Sequence, residues 1–217
     1  YVRGNIAANQ GHLKAAQSYF NEAIEMDPTH VRARLNRASI HMASGNAQGA
    51  LDDANVLLEL APGLALAKLR RAEANMMLSN WDGAKKDLEQ IVEDAPHHHH
   101  ALTQLASCFI SMERPEKAEG PLNEALRLAP DHTAAWHQRG LLYLDWGRED
   151  AALNDFEAAV RCDGNNLDAR LHIAAIHHEA GRFVEASGAW KGVLAIEPEH
   201  AVARRRREEC DMALATM

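Results

Sequence analysis

Apolar residues fall along this chain in a pattern that returns every 34 residues. Alanine stands at Ala16, Ala50, Ala84, Ala118, Ala152 and Ala186. Four residues after each comes a large apolar side chain in five of six places (Phe20, Leu88, Leu122, Phe156, Trp190), with Ala54 the exception. Twelve residues upstream of each alanine lies a second small position: Gly4, Ala38, Ala72, Ala106, Gly140 and Ala174. Small residues where two helices cross, with a bulky one beside them, are what a tight helical hairpin requires. Between the two lie Gly11, Gly45, Ser79, Glu113, Gly147 and Gly181, and a glycine there can end a helix in the left-handed conformation. Prolines at 28, 62, 96, 130 and 198, with Gly164 on the same ladder, stop each second helix. The pattern predicts thirteen helices, at about 1–10 and 14–27, 32–44 and 48–61, 66–78 and 82–95, 100–112 and 116–129, 134–146 and 150–163, 168–180 and 184–197, and a last one from about 202.

With the recurrent proline counted as position 32, the copies run 1–30, 31–64, 65–98, 99–132, 133–166 and 167–200, and 201–217 is left as a capping helix. The fifth copy reads Trp136, Arg139, Gly140 and Tyr143, then Ala152, Phe156 and Ala159. In these residues the chain resembles the tetratricopeptide repeat (TPR) family, whose signature is W-x-x-L-G-x-x-Y, then A-x-x-x-F, A and P. Gly164 stands where the family has proline, and the second to fourth copies lack most of the aromatic positions. The resemblance implies an all-α fold, a right-handed α-solenoid of about six hairpins forming a single array over 1–217.

Composition narrows the picture further. The chain is 47% hydrophobic and only 5% aromatic, which suits close helix–helix contact better than a β-sandwich core. A net charge of −8 argues against nucleic acid as the main partner. Cys108, Cys162 and Cys210 sit at unrelated repeat positions, so a reducing, cytoplasmic or otherwise intracellular setting is expected. No apolar run is long enough to span a bilayer, and direct membrane insertion is not expected. The first residue is Tyr1 and already lies within a helical pattern, so a fragment of a longer chain, with any targeting segment upstream, is expected.

The internal alignment also pairs charges. Where the family has leucine at position 7, this chain has Arg37, Arg71 and Arg139, and in the same copies position 23 is Asp53, Asp87 and Asp155. Copies four and six have neither partner (Leu105 with Pro121, Ile173 with Ala189), and copy one has the arginine alone (Arg3 with Tyr19). Ion pairs Arg37–Asp53, Arg71–Asp87 and Arg139–Asp155 between the two helices of a copy are the expectation.

The resemblance further implies a concave wall built from the first helix of each copy, which grips a peptide or helix of a partner protein. Mapped by position, the candidate groove comprises Asn5, Arg32, Leu35, Ser39, Met42, Leu66, Leu69, Glu73, Met76, Thr103, Ser107, Ile110, His137, Leu141, Leu171 and His178. Its middle is apolar and methionine-bearing, a composition that adapts to varied partners. A co-chaperone clamp for chaperone C-terminal tails is the weaker implication: Asn5, Asn36 and Arg70 match it, but Tyr1 and Leu66 occupy the two lysine positions.

Other conspicuous residues carry less. His97, His98, His99 and His100 follow Pro96 in a loop and are a weak candidate for a metal, with no Cys/His set nearby. His177 reads as a core histidine, and His137, His172 and His178 as a pH-sensitive stretch of the groove. Copy four is irregular, with Glu113 at the turn and Gly120–Pro121 inside the second helix, where a kink or shortening is predicted. Arg204 to Arg207, followed by Glu208 and Glu209, read as a solvated cap with helical ion pairs. No phosphate-binding glycine loop, nucleophile elbow or HExxH motif is present. The expected function is a non-catalytic interaction scaffold or adaptor with no cofactor. The alternatives are the substrate-recruiting or regulatory arm of a larger enzyme and a self-assembling subunit.

Overall fold

In the computed structural model, which describes residues 1–216, thirteen α-helices and one 3-10 turn follow one another, with no strand among the described residues. They are α1 (Val2–Asn9), α2 (Leu13–Met26), α3 (Val31–Ala43), α4 (Ala47–Leu60), α5 (Ala65–Met77), α6 (Trp81–Asp94), α7 (His99–Ser111), the 3-10 turn Pro115–Lys117, α8 (Glu119–Leu128), α9 (Thr133–Asp145), α10 (Glu149–Cys162), α11 (Leu167–Glu179), α12 (Phe183–Ile196) and α13 (Ala201–Ala215). The chain forms two compact units, Tyr1–Ala118 and Glu119 onward. In the first, α1 to α7 pack each on the next; in the second, α8 to α13 do the same. The division falls in the copy whose sequence is irregular.

The small and large positions explain the hairpins. Ala16, Ala50, Ala84, Ala152 and Ala186 are all fully buried, as are Phe20, Leu88 and Phe156. A methyl group on Gly4 would lie 2.5 Å from the Phe20 ring, and one on Gly140 would lie 2.8 Å from Phe156. Glycine is thus paired with phenylalanine, and alanine accompanies the other partners (Ala72 with Leu88, Ala174 with Trp190). Glycine leaves room for the phenylalanine ring where the helices cross.

Each first helix ends in the same way. The amide of the residue after the turn bonds back five residues, as from Asn46 to His41 O (2.8 Å), Asn80 to Asn75 O (2.8 Å) and Arg148 to Tyr143 O (2.8 Å). The residue before it has positive φ, including Ser79 and Glu113, both at φ 58°. The hairpin therefore imposes the left-handed turn even where the sequence has no glycine, at a cost in backbone energy.

Helix starts account for three of the thirteen histidines. The Nδ1 atoms of His30, His98 and His200 accept from the backbone N–H three residues on at 3.1–3.2 Å, and Asn166 Oδ1 does the same from Ala169 at 2.9 Å. These residues stand on one 34-residue ladder, a signal the sequence reading passed over. At position 4 a long side chain closes the preceding turn: Arg34 donates to Pro28 O (3.1 Å), Trp136 to Pro130 O (2.8 Å) and Arg170 to Gly164 O (3.1 Å).

Copy four meets the expectation of a kink or shortening through the latter: its second helix is shortened. A 3-10 turn takes Pro115–Lys117, and α8 starts at Glu119 with 10 residues, against 14 in α10. Pro121 thereby falls in the first turn, where a helix has no use for the missing N–H.

Candidate functional site

The three arginine–aspartate pairs are closed, two-pronged contacts. Arg37 donates to Asp53 at 2.8 and 2.5 Å, Arg71 to Asp87 at 2.7 Å twice, and Arg139 to Asp155 at 2.8 Å twice. The carboxylates are buried, and the hydrogen bond donated to aspartate raises the pKa of each guanidinium further. A third member was missed in the sequence: each arginine also donates to an asparagine on the preceding second helix. These are Asn21 (2.8 Å), Asn55 (3.4 Å) and Asn123 (2.6 Å). The signal was there, because the same position is Glu89 and Glu157 ahead of the copies without arginine. Every staple thus ties three consecutive helices.

In the first unit the first-helix wall carries two polar features. A cleft of about 360 Å³ between α1 and α3 is lined by Asn5, Ala8, Asn9, Phe20, Asn36, Ser39 and Ile40. Across it Asn36 Nδ2 donates to Asn5 Oδ1 at 2.7 Å and approaches the Tyr1 hydroxyl at 3.5 Å. Further along, Arg70 donates to Glu73 at 2.6 Å and Gln104 to Glu73 at 3.2 Å, while His100 Nε2 lies 3.7 Å from the same carboxylate. Burial pushes the Glu73 carboxyl up, but hydrogen bonds from His100 and Arg70 outweigh it and leave the group below its usual range. The Arg70 charge is therefore spent on Glu73. With Tyr1 against His30 (ring centroids 4.9 Å apart) and leucine at 66, the cations of a chaperone-tail clamp are not assembled.

The remaining candidates divide by burial. Arg32, Leu66 and Ile110 are exposed; Asn5, Leu35, Ser39, Met42, Glu73, Met76 and Ser107 are half-buried. Leu69 and Thr103 are only 7% and 3% exposed. Leu69 belongs to the core around Leu88 and Ile91, with Met76 packed against it, and the Thr103 hydroxyl donates to His99 O within α7. Leu69 and Thr103 are thus withdrawn from the candidate surface: position 5 there faces the neighbouring helix.

In the second unit Leu141 is exposed, whereas His137, Leu171 and His178 are half-buried, Leu171 against the Trp190 core. His172 stacks on Phe156 (4.7 Å) and meets His137 at 5.6 Å. Burial lowers the pKa of His137 against the pull of Asp168, and lowers that of His172, helped by His137. Burial does the same to His177. His178 is apart from this pair, 3.2 Å from Cys210 Sγ. Cys108 and Cys210 are buried and Cys162 exposed, all as free thiols, with the Cys108 pKa pushed up to about 11 by burial. Among the described residues no three His, Cys, Asp or Glu side chains converge on a metal site, and in the histidine run His98 caps α7 while His100 turns to Glu73. Among the described residues no helix is long and apolar enough to cross a membrane.

Stacked helical hairpins with a polar and apolar wall define a repeat protein of the interaction type. The chain belongs to the tetratricopeptide repeat family: models of that repeat match residues 1–65, 75–139 and 133–166. No curated protein matches it in sequence. Among solved structures, a tetratricopeptide repeat protein from Parabacteroides merdae ATCC 43184 is 21% identical, with a TM-score of 0.73 over 95% of this chain and 81% of that one. YrrB, a TPR protein with an unusual peptide-binding site, is 22% identical, with a TM-score of 0.63 over 87% and 97%. The APC/C hetero-tetramer Cut9–Hcn1 is 20% identical, with a TM-score of 0.79 over 95% of this chain and 41% of that one. At these identities the likeness is one of fold, that of an all-α solenoid.

Proposed function

We propose that this protein is a non-catalytic scaffold whose first-helix wall in residues 1–118 holds an extended segment of a partner protein. The observation that carries this reading is the Asn5–Asn36 cleft. Once Asn36 Nδ2 is given to Asn5 Oδ1, the Asn5 Nδ2 and Asn36 Oδ1 atoms have no protein partner among the described residues. One free donor and one free acceptor side by side match the C=O and N–H of a single peptide group. The cleft is within the size range of small-ligand sites, and Leu35, Met42 and exposed Leu66 offer apolar contacts beyond it. The peptide-binding site of YrrB supports a peptide as the ligand class, and the Cut9–Hcn1 assembly supports a place in a larger complex.

The test is selection of binders from random displayed peptides, followed by fluorescence anisotropy with the best one. The double variant Asn5→Ala, Asn36→Ala and the single variant Leu66→Glu should each bind at least about tenfold more weakly, the loss expected for one or two hydrogen bonds or an apolar anchor. Equal affinity for all three proteins, or no selected peptide, would sink the proposal.

A further inference from the structure

Copies two, three and five share the arginine staple, and copy three departs from the other two around it. The third arm of Arg37 holds Asn21 at 2.8 Å and that of Arg139 holds Asn123 at 2.6 Å, whereas Arg71 Nη1 stands 3.4 Å from Asn55. The Arg71 side chain is 31% exposed, against 20% for Arg37 and 17% for Arg139. At position 11 the other two copies have a ring, His41 and Tyr143, and copy three has the shorter Asn75. A cleft of about 370 Å³ opens there among α4, α5 and α6. Copy two is built the opposite way. Asp52 stands at the position of Lys86, and His41 fills the space beside Gly49, where a methyl group would lie 2.8 Å from its ring.

The Asn75 amide is pinned in one sense. Gly83 N–H donates to Asn80 Oδ1 (3.2 Å), which leaves Asn80 Nδ2 to donate to Asn75 Oδ1 (3.0 Å). Asn75 Nδ2 is left over: it has no partner among the described residues, although Asn75 is only 6% exposed. A methyl group on Gly83 would stand 3.1 Å from this nitrogen, so glycine leaves room beside it. Lys86, exposed on the same cleft, makes no hydrogen bond or ion pair among the described residues. The carboxylate lining the cleft, Asp87, has both oxygens taken by Arg71 at 2.7 Å. Arg71 Nη1, Asn75 Nδ2 and Lys86 Nζ thus line one cleft as three donors, with one positive charge in excess.

We propose that this cleft is a carboxylate-binding site, which takes the acidic end of an Asp or Glu side chain of a partner or of a small organic acid. A carboxylate carries the single negative charge that the excess cation calls for, and its oxygens accept from several donors at once. It also satisfies the buried Asn75 donor, which is costly to leave unpaired. Half-buried Leu51 on the same cleft offers an apolar contact to the methylenes behind the carboxylate. None of these residues belongs to the candidate groove, so the site stands apart from the peptide wall proposed above.

Titration of the intact, isotope-labelled chain followed by two-dimensional NMR tests this, with the Asn75 side-chain amide and the Gly83 backbone amide as reporters. The probes are succinate and an acetylated peptide bearing one glutamate, with inorganic phosphate as the competing oxyanion, all at constant ionic strength. A carboxylate probe should move both signals saturably, with a Kd of about 1–10 mM. A peptide at least about tenfold tighter than succinate assigns the site to a partner's side chain, and any smaller difference assigns it to a free acid. Lys86→Asp, which reproduces copy two, should weaken binding at least about tenfold. Asn75→His, which closes the cleft with a ring, should abolish it, read at Gly83. Circular dichroism controls for folding, and Lys86→Asp, on the surface, carries the test alone if Asn75→His does not fold. No saturable shift with either carboxylate overturns the proposal, as does a folded variant that binds as tightly as the wild type, or phosphate binding more tightly than both probes.

Discussion

Copies five and six lie side by side in one unit with hairpins of the same lengths, 13 residues in α9 and α11 and 14 in α10 and α12, yet they are clipped differently. Copy five holds α9 to α10 with Arg139–Asp155 and reaches back to α8 through Asn123. Copy six has Ile173, Ala189 and Glu157 at the corresponding positions. All three members change together. The backbone therefore accepts either a charged clip or an apolar contact, but no mixture of the two is found in either copy.

The largest effect should come from making such a mixture. Asp155→Ala leaves a half-buried guanidinium without its counter-charge and should destabilise residues 119–216 by about 3–5 kcal/mol. Copying all of copy six into copy five (Asn123→Glu, Arg139→Ile, Asp155→Ala) should recover most of that loss, because an apolar pair replaces a buried ion pair at little net cost. Urea unfolding with hydrogen exchange read over 119–216 measures both, since a repeat protein need not unfold in one step. A triple variant as unstable as Asp155→Ala would break the equivalence of the two clips.

The second contrast is at the crossing of the helices. Gly140 faces Phe156 in copy five, and Ala174 accompanies Trp190 in copy six. Gly140→Ala should cost about 1–3 kcal/mol by overpacking, despite the better helix propensity of alanine. Combining it with Phe156→Leu, the pairing already present as Ala72 and Leu88, should restore part of the loss. Additive destabilisation in the double variant would show that the glycine serves some other need.

These pairings show how far the sequence could be read. A 34-residue period turns one chain into six aligned copies, so helix bounds, small–large crossings and the 16-residue Arg–Asp spacing stand out without any relative. What escaped has physical causes. Taken singly, Asn123 is an ordinary polar residue and a histidine N-cap looks like any loop histidine; only their recurrence at one register position marks them. Ser79 and Glu113 take a positive φ because the hairpin forces it, against their own preference. Leu69 reads equally well as groove or core, since period alone does not say how deeply a neighbouring helix covers position 5.

The smallest expected effect concerns the seam where the two copies meet. His137 on α9, His172 on α11 and the Phe156 ring lie together, with Asp168 the charged group felt by both imidazoles. Burial lowers both pKa values in the folded state, so the unfolded chain takes up protons first. Stability is then level at higher pH and falls as pH drops through the ordinary histidine range near about 6.5. The melting temperature should accordingly decline between about pH 7.5 and 5.5, by less than either substitution above, because both rings keep some solvent contact. His172→Phe keeps the stack on Phe156 and removes one titrating group, so it should flatten part of that slope. The same substitution would also relieve His137 of its cationic neighbour in acid. If the slope persists unchanged in His172→Phe but disappears in His177→Phe, the acid response belongs to the interior of copy six, and the seam is a packing contact alone.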